Sequence, residues 1–347
     1  MAEIVIGKRL VGDEHPTFII AEAGVNHQGD PMLARRLIDI AVAAGADAVK
    51  FQKRNVDRIL TREGLDAPYV NDHSFGRTYG EHRRQLELSE DVYWDLKRYA
   101  DSKGILFLAS AWDEESADFL EKLDVAAFKI ASADLTNHPL IEHVARKGRP
   151  VILSTGMATL AEVDAAVNII RRHHDALAVL QCTSTYPAAF CDLHLRVIPM
   201  YRERYRCVVG YSGHELGIAI PPVAVALGAR IVERHFTIDR TLRGRDHAAS
   251  LEPEGLRKLV RDIRHVEEAM GEPQKVLAPG EFEVRQRLAK SLVTAVAIAR
   301  GERIERAMLT TKGPGTGISP ARIQEVVGRR AARDLPADVI LREDDLV

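Results

Sequence analysis

Eight short apolar runs, rich in β-branched residues, recur between residues 16 and 270, and longer amphipathic stretches separate them. The runs are TFIIAEAG (17–24), AVKFQK (48–53), ILFLASA (105–111), AAFKIAS (126–132), PVILSTG (150–156), LAVLQCTS (177–184), CVVGYSGH (207–214) and IVERHFT (231–237). Runs that are apolar throughout predict strands buried on both faces, and apolar residues at helical spacing between them predict helices that cover a parallel sheet. Within about 250 residues this α/β pattern fits a closed (β/α)₈ (TIM) barrel best, and an open doubly wound sheet is the alternative.

The composition changes after residue 270, where the alternating pattern ends. Residues 271–289 carry Pro, Gly and charge without a clear period, which predicts a linker between a barrel domain (1–270) and a C-terminal module (290–347). The module has short strand-like runs, an RGE turn, a GPGTG loop, one helical stretch and a final strand-like run. Because about 60 residues give only marginal stability, we expect this small β-rich module to dock on another surface.

The connection after the second run, residues 54–87, is much longer than the others and includes PYVNDHSFGRTYGEHRRQLE. Long insertions in compact domains are usually functional or disordered, and this mixture of aromatic and charged residues argues against disorder. Its Arg/His run at 73–84 is equally consistent with a solvated surface and with a binding surface.

Composition and charge exclude several classes of protein. The 347 residues, 46% of them apolar, suffice for one large core and a small second module, and a net charge of −2 implies no general affinity for nucleic acid or membranes. The cysteines at 182, 191 and 207 show neither metal-site spacing nor a disulfide framework. The N-terminus lacks the apolar core of a signal peptide, and no run is long enough to span a bilayer, so we expect a cytoplasmic protein.

Polar residues end most of the predicted strands, and in a (β/α)₈ barrel the chemistry lies at those carboxyl ends. They are Glu22, Lys50, Gln52, Ser110, Lys129, Ser132, Ser154, Thr155, Thr183, Ser184, Tyr186, Ser212, His214, Glu233 and His235, with Asp246 and His247 just beyond. Two lysines among Ser and Thr hydroxyls predict a site for a small anion that carries both phosphate and carboxylate. Either lysine alone could instead be a structural ion-pair partner, and Glu22 could belong to a salt bridge at the barrel bottom.

His214 and His235 end neighbouring strands, so their imidazoles could converge on one divalent ion. A metal held by two protein ligands keeps open positions for water and a substrate oxygen, as a Lewis-acid catalyst requires. The alternative is that each histidine is a hydrogen-bonded structural residue. The pattern favours the metal site.

The motifs at these strand ends resemble, in order, those of the sialic acid synthase family. They are FIIAEAGVNHQGD, AVKFQK, FKIASAD, ILSTGM, QCTSTYP, GYSGHELGI, ERHFTID and DHAASLEP. The C-terminal segments SLVTAVAIARGE, LTTKGPGTGI and VVGRRAARDLPAD look like the family's SAF (antifreeze-like) domain. The resemblance covers roughly residues 7–347.

The resemblance implies a reaction in which phosphoenolpyruvate condenses with N-acetylmannosamine or its 6-phosphate, giving a nine-carbon 2-keto acid and phosphate. The matching motifs imply a role for each residue. The carboxylate of phosphoenolpyruvate is expected at Lys50 and Ser110, and its phosphate at Lys129, Ser132, Ser154 and Ser212. The metal is expected at His214 and His235, proton transfer at Glu22, and the sugar at Gln52, Asp134, Tyr186 and Asp246. The implied ion is Mn²⁺, with Mg²⁺ or Co²⁺ as alternatives. The resemblance also implies a domain-swapped homodimer in which each SAF domain caps the partner's barrel.

One departure bears on the sugar. Bacterial family members that act on free N-acetylmannosamine resemble one another in a KRPG loop whose Arg reaches the partner's sugar, whereas this chain has Lys312-Gly313-Pro314-Gly315. Lys312 is therefore the substrate-binding candidate in that loop. The insertion looks more like that of animal-type synthases, and Arg83 and Arg84, with Arg77 and His82 nearby, could supply charge for a sugar 6-phosphate.

Three alternatives remain at this stage. The chain could make a related nonulosonic acid such as legionaminate, pseudaminate or the deaminated sialic acid KDN. It could be a metal-dependent pyruvate aldolase, although the lysine and hydroxyl set argues against that. The least favoured alternative is a non-catalytic binding protein built on the C-terminal module.

Overall fold

The structure is a computed structural model that describes residues 2–347. The chain divides into two compact units, Met1–Gly271 and Glu272–Val347. None of the helices between residues 2 and 347 combines the length and apolar character needed to cross a bilayer.

The first unit is a closed barrel of eight parallel strands behind an N-terminal hairpin. The hairpin pairs β1 (Glu3–Ile6) with β2 (Arg9–Gly12). The barrel strands are β3 (Phe18–Gly24), β4 (Ala48–Lys53), β5 (Leu106–Ala111), β6 (Phe128–Ile130), β7 (Val151–Ser154), β8 (Leu177–Cys182), β9 (Val208–Gly213) and β10 (Ile231–His235). Each strand pairs with the next, and β10 pairs with β3. The predicted (β/α)₈ barrel is confirmed, and each strand falls within one of the eight apolar runs.

Helices surround the barrel and complete the second unit. They are α1 (Pro31–Ala44), α2 (Val56–Ile59), α3 (Arg62–Asp66), α4 (Tyr79–Gln85), α5 (Glu90–Lys103), α6 (Glu114–Lys122), α7 (His138–Ala145), α8 (Leu160–Arg171), α9 (Val197–Tyr205), α10 (Ile220–Ala226), α11 (Pro253–Met270), α12 (Glu281–Leu288) and α13 (Ile323–Val326). Local sequence sets their ends. Helix α8 begins at a capping box in which Thr159 and Glu162 satisfy each other's backbone N–H groups. Helix α1 ends at Gly45, whose φ of 80° is a left-handed conformation that glycine adopts readily.

Two apolar layers hold the barrel together. The larger layer lies between strands and helices and includes Phe51 and Phe107, whose rings stack 5.3 Å apart. The smaller layer lies inside the barrel near the amino ends of the strands, where Ile6 and Val11 of the hairpin pack with Ile20. The hairpin therefore closes the end of the barrel opposite the carboxyl ends of the strands, so that the polar side chains have one open mouth. The sequence analysis did not predict this hairpin.

The insertion (residues 54–87) forms α2, α3 and α4 and has a small aromatic cluster of its own. The ring of His82 lies 4.6 Å from that of Tyr69 and 5.9 Å from that of Phe75, and the backbone N–H of Phe75 donates to His82 Nδ1 at 3.1 Å. Helix α4 begins at a capping box between Thr78 and Glu81. The insertion is thus an ordered structure rather than an unstructured loop.

The second unit contains one antiparallel pair, β11 (Ser291–Thr294) and β12 (Leu309–Lys312). Its core includes Leu292, Ile298 and Leu341. Helix α12 lies within the range predicted to be a linker. The predicted final strand differs from the structure, because the last residues make only isolated bridges, such as the one between Ala331 and Leu346, within the described part of the chain.

Candidate active site

A cavity of about 230 Å³, here called the central cavity, lies at the carboxyl ends of the barrel strands. Eleven of the predicted site residues line it, namely Glu22, Lys50, Gln52, Ser110, Lys129, Ser132, Ser154, Tyr186, Ser212, His214 and His235. Strand register brings them together, because Glu22 pairs with Lys50 and with His235, and Ser110 pairs with Gln52 and with Lys129. Residues that are distant in sequence therefore face the same small volume.

Four buried charges form the floor of the central cavity. Lys50 Nζ lies 2.6 Å from Glu22 Oε2 and 3.6 Å from Glu233 Oε1, and Lys129 Nζ lies 4.0 Å from the same oxygen of Glu233. Each of the four side chains is at most 6% exposed. We call this set the charge quartet. Because it holds two cations and two anions, its charges balance when the site is empty, which makes their burial tolerable.

The pKa values of the two carboxyl groups in the charge quartet are shifted in opposite directions. Burial raises the pKa of Glu22 above its ordinary value, and the charge of Lys50 only partly opposes this. Burial also acts to raise the pKa of Glu233, but Lys129 and Lys50 outweigh it and hold that pKa below its ordinary value. Two carboxyl groups whose environments push their pKa values apart are typical of an acid–base pair with a stabilising partner. Glu22 is thus the group suited to moving a proton.

Hydroxyl groups complete an anion site around the lysines. Ser110 Oγ lies 3.0 Å from Lys50 Nζ, and Ser212 Oγ donates to Glu233 at 3.2 Å. The buried Ser154 Oγ has no hydrogen-bond partner within the described residues. Since buried polar groups are rarely left unpaired, Ser154 marks a place where a ligand oxygen would bind.

The two histidines lie side by side at the edge of the central cavity, with ring centroids 5.4 Å apart. His214 Nδ1 is 2.7 Å from the carbonyl oxygen of Thr183, so Nδ1 donates and Nε2 is left as an acceptor. Burial lowers the pKa of His235 to about 4, which keeps the ring neutral, and its buried Nδ1 has no hydrogen-bond partner within residues 2–347. Two adjacent imidazoles, each with a ring nitrogen that no other residue uses, fit a divalent ion. Across the described chain no group of three or more His, Cys, Asp or Glu residues could hold one.

A larger cavity of about 630 Å³, here called the adjoining cavity, opens beside the central one. The two share Gln52, Trp112, Ser184, Tyr186 and His235 as a common wall. The rest of the adjoining cavity is built by the insertion, by the loop after β10 and by Val25 and Asn26, which follow β3. Two predicted residues, Asp246 and Arg83, line this cavity rather than the central one.

Three predicted residues lie elsewhere. Asp134 ends a 3₁₀ turn after β6 and lines a separate cavity with Glu115, and Arg84 pairs with Asp57 on the surface. Both residues lie outside the two cavities, and their predicted roles at the sugar stay predictions. Adjacent residues of α4 point about 100° apart, which places Arg83 in the cavity wall and Arg84 on the surface. Lys312 belongs to the second unit, where its Nζ lies 2.5 Å from Asp338. Its role stays a prediction.

Sequence reasoning assigned no role to several residues that the structure places in the two cavities. Glu233 is the most important: it was identified only as a polar residue at the end of its strand, and it lies two residues before His235 and thus on the same face. Arg243 and Arg245 line the adjoining cavity. Nothing in the sequence indicates that their loop meets the insertion, since the two are separated by more than 150 residues.

Comparison with known proteins gives a consistent result for both units. The NeuB family model matches residues 37–275, and the SAF domain model matches residues 289–347. A protein from Homo sapiens named N-acetylneuraminate-9-phosphate synthase is 45% identical over 98% of this chain and 93% of its own length. A protein from Legionella pneumophila named N,N'-diacetyllegionaminic acid synthase is 39% identical over 95% of this chain and 94% of its own length.

A solved structure resembles the chain in the same way. The N-acetylneuraminic acid synthetase from Leptospira borgpetersenii, crystallised with citrate, matches with a TM-score of 0.72 and 37% identity over 81% of this chain and 94% of that one. Sequence and structure comparisons therefore point to one family.

Proposed function

The chain belongs to the NeuB family, and on that premise we propose that it is a synthase that condenses phosphoenolpyruvate with N-acetylmannosamine or its 6-phosphate. The products are N-acetylneuraminate or its 9-phosphate, together with inorganic phosphate. The observation that carries the proposal is the central cavity, where two lysines and five serines surround a space of about 230 Å³ next to two histidines. The names of the human and mouse relatives, both 45% identical, favour the phosphorylated pair.

The residues of the quartet would bind phosphoenolpyruvate and offset its charge. Lys50 with Ser110 takes the carboxylate, and Lys129 with Ser132, Ser154 and Ser212 takes the phosphate. These ammonium groups stay in place throughout the reaction, so the transition state gains their attraction without any rearrangement.

A divalent ion fits at His214 and His235, and when bound it would supply Lewis-acid polarisation of the sugar's aldehyde oxygen. Carbon 3 of phosphoenolpyruvate then attacks the aldehyde carbon, a C–C bond forms, and the aldehyde oxygen takes up a proton. Positive charge at carbon 2 is quenched by a water molecule, whose proton Glu22 is placed to accept. The C–O bond to phosphate breaks last: the phosphate leaves, the hydroxyl that came from the water gives up its remaining proton to it, and carbon 2 becomes the keto carbon. We propose Mn²⁺ as the ion, with Mg²⁺ or Co²⁺ as alternatives, because imidazole and oxygen ligands accept all three.

Gln52 fixes the proton-transferring group. Its Nε2 donates to Glu22 Oε1 at 3.0 Å while Lys50 holds the other carboxylate oxygen. Tyr186 packs against His214 with ring centroids 4.0 Å apart and restricts how that imidazole can turn. Both residues also belong to the wall shared with the adjoining cavity, so they would touch the sugar.

A homodimer, in which the second unit of one subunit covers the barrel mouth of its partner, is part of the proposal. Helix α12 supports it, because none of its residues is buried, and Phe282 and Leu288 are 57% and 62% exposed. Exposed apolar side chains this large on one short helix are typical of an interaction surface. In such a dimer Lys312 would approach the partner's sugar. Sedimentation of the full chain tests this, since Phe282→Ser should shift it towards the monomer.

The reaction is tested by phosphate release from phosphoenolpyruvate, using metal-stripped protein resupplied with Mn²⁺. N-acetylmannosamine, its 6-phosphate, mannose 6-phosphate and a 2,4-diacetamido hexose are compared side by side. Release that requires both the ion and one sugar supports the proposal. Preference for the diacetamido sugar would instead support a legionaminate-type synthase, the function named for the Legionella relative. Absence of release with every sugar would contradict the proposal and favour a pyruvate aldolase.

The three free cysteines are consistent with a protein that works in a reducing cytoplasm.

A further inference from the structure

Three arginines from two distant parts of the chain meet in the adjoining cavity. Arg83 comes from α4 of the insertion, and Arg243 and Arg245 come from the loop after β10. Resting on the proposed function, we propose that these three arginines form a subsite for a phosphate monoester at the end of the sugar remote from its aldehyde. The enzyme would then be a synthase for a phosphorylated sugar, and this site, rather than the central cavity, would make that choice.

The position of the shared wall supports the proposal. A sugar whose aldehyde lies at His235 and Gln52 is at the boundary of the two cavities. The central cavity is filled by phosphoenolpyruvate, so the remaining carbons of an open-chain hexose can extend only into the adjoining one. Its distal end then approaches the arginines.

The charges of the adjoining cavity are unbalanced, in contrast to the quartet. Asp246 is the one carboxylate that lines it, against three guanidinium groups. None of the three pairs with a carboxylate anywhere in residues 2–347. A phosphate monoester carries a charge of about −1.5 to −2 at neutral pH, and the guanidinium fork matches its oxygens. The cavity therefore has the charge that such a group would neutralise.

Two of the three arginines, Arg83 and Arg243, are held in place by neutral partners that leave them charged. Arg83 Nε donates to Tyr79 Oη at 2.8 Å and its guanidinium lies over the same ring. Arg243 donates to the carbonyl oxygen of Ser74 and lies over Phe75 at 5.0 Å. Arg243 thus ties its loop to the insertion, which brings both walls of the subsite together.

The loop between the two arginines is fixed as well. Gln28 Nε2 donates to the carbonyl oxygen of Arg243 at 2.8 Å. Gly244 has φ +139°, and a Cβ at that position would come within 2.8 Å of the His247 ring. The backbone at Gly244 therefore accepts no other residue without a shift, and the positions of Arg243 and Arg245 depend on it.

His82 lies in the same cavity wall as the three arginines. Burial lowers its pKa to about 4, and the charges of Arg83, Arg243 and Arg245 add to the effect. His82 is thus a neutral packing residue and not a phosphate ligand. In the proposed subsite, Arg83 of the predicted set is joined by Arg243 and Arg245 of the β10 loop, whereas Arg77, His82 and Arg84 have no part in it.

The subsite is tested by calorimetric binding of N-acetylmannosamine 6-phosphate and of N-acetylmannosamine, with Mn²⁺ and without phosphoenolpyruvate. Arg83→Ala, Arg243→Ala and Arg245→Ala are each compared with Arg62→Ala. That control removes the same charge from the same insertion, at a residue that pairs with Asp66 outside the cavity. We expect the wild-type protein to bind the phosphorylated sugar at least tenfold more tightly, and each cavity variant to lose most of that preference.

Selectivity for the phosphate decides the outcome. Weaker binding of the phosphorylated sugar, unchanged binding of the free sugar and partial recovery in Arg245→Lys would support the subsite. Equal affinity of the wild-type protein for both sugars, no binding of either, or an equal loss for both in Arg245→Ala would overturn it. Because no turnover is measured, a failed subsite is distinguished from a failed proposed function, which phosphate release tests separately.

Discussion

Arg234 and Glu215 form a buried ion pair directly behind the two histidines of the central cavity. Arg234 Nη1 lies 2.6 Å from Glu215 Oε1, and both side chains are at most 1% exposed. The same guanidinium donates to the backbone oxygens of Glu215 and Gly217. Since Glu215 follows His214 and Arg234 precedes His235, the pair fixes the spacing of the two imidazoles.

Removal of one partner should be costly. Glu215→Gln leaves the Arg234 charge buried without compensation, so we expect a loss of about 3 kcal/mol or more in the free energy of unfolding, measured in urea. The double variant Glu215→Leu/Arg234→Met should recover part of this stability, because apolar replacement of both partners removes the unpaired charge. A single variant as stable as the wild-type protein would contradict the argument.

Glu22→Gln should lower kcat by about 100-fold or more, the usual contribution of a positioned acid–base group. The amide has nearly the same shape but cannot accept a proton, and its single oxygen can accept from only one of the two donors, Gln52 Nε2 and Lys50 Nζ. The KM for phosphoenolpyruvate should not rise, because the change removes a negative charge from an anion site. Steady-state kinetics of phosphate release measure both constants. A kcat within threefold of the wild-type value would assign proton transfer elsewhere.

Lys129→Met should raise the KM for phosphoenolpyruvate by about 10- to 100-fold, since hydrogen bonds to charged groups contribute about 1.5–3 kcal/mol. Lys258→Met is the matched control, because Lys258 is an exposed residue of α11 that pairs with Glu254. The control should leave the KM unchanged. If both variants behaved alike, Lys129 would have a structural role only.

Metal dependence should follow the two histidines. Chelation should abolish phosphate release and Mn²⁺ should restore it, whereas His214→Asn and His235→Asn should each weaken Mn²⁺ binding by at least tenfold, as read from the paramagnetic resonance of free Mn²⁺. The exposed His265 on α11 supplies the control variant His265→Asn. Mn²⁺ binding that survives in both site variants would place the ion elsewhere.

Acid should destabilise the fold through His27. Burial lowers the pKa of His27 to about 3, and Arg54 adds to the effect, whereas the unfolded chain has a His pKa near 6.5. The unfolded state therefore takes up a proton first, so the stability contributed by neutral His27 is complete above about pH 6.5 and is lost as the pH falls towards 3. Between about pH 7.5 and 5.5 the wild-type protein should lose roughly 1.4 kcal/mol more than His27→Asn.

The Asn variant keeps an acceptor for the N–H of Gly29, which donates to His27 Nδ1 at 3.1 Å. Unfolding in urea at the two pH values gives the four free energies. An equal loss in the two proteins would show that the folded state protonates His27 as readily as the unfolded state does.

The barrel could be read from the sequence because each strand is buried on both faces and reads as a continuous apolar run. The N-terminal hairpin could not be predicted, since its first strand, Glu3–Ile6, alternates exposed and buried residues over only four positions. The central cavity was predicted almost completely, because the register of a closed barrel brings the strand ends together. The surface position of Arg84 could not be predicted, because a linear run of basic residues does not show which of them faces inward on a short helix.

The adjoining cavity depends on a meeting of two loops, and no periodicity encodes such a meeting. Arg243 and Arg245 lie in a loop without regular structure, and their role is visible only once Arg243 contacts Ser74 of the insertion. Sequence patterns thus predict the residues that the barrel strands position, and they do not predict the residues that come together where long loops contact each other.

The insertion has its own helix caps and its own aromatic cluster, so much of its structure is stabilised by contacts within the segment. The side chains of Asn55, Thr61 and Thr78 cap the amino ends of its helices, and its aromatic contacts are made largely within residues 69–82. A segment that is stabilised locally can be exchanged as a cassette without disturbing the barrel layers. Grafting insertions between relatives, together with the loop after β10, is therefore a direct route to altered sugar preference with the carbon–carbon bond chemistry left intact.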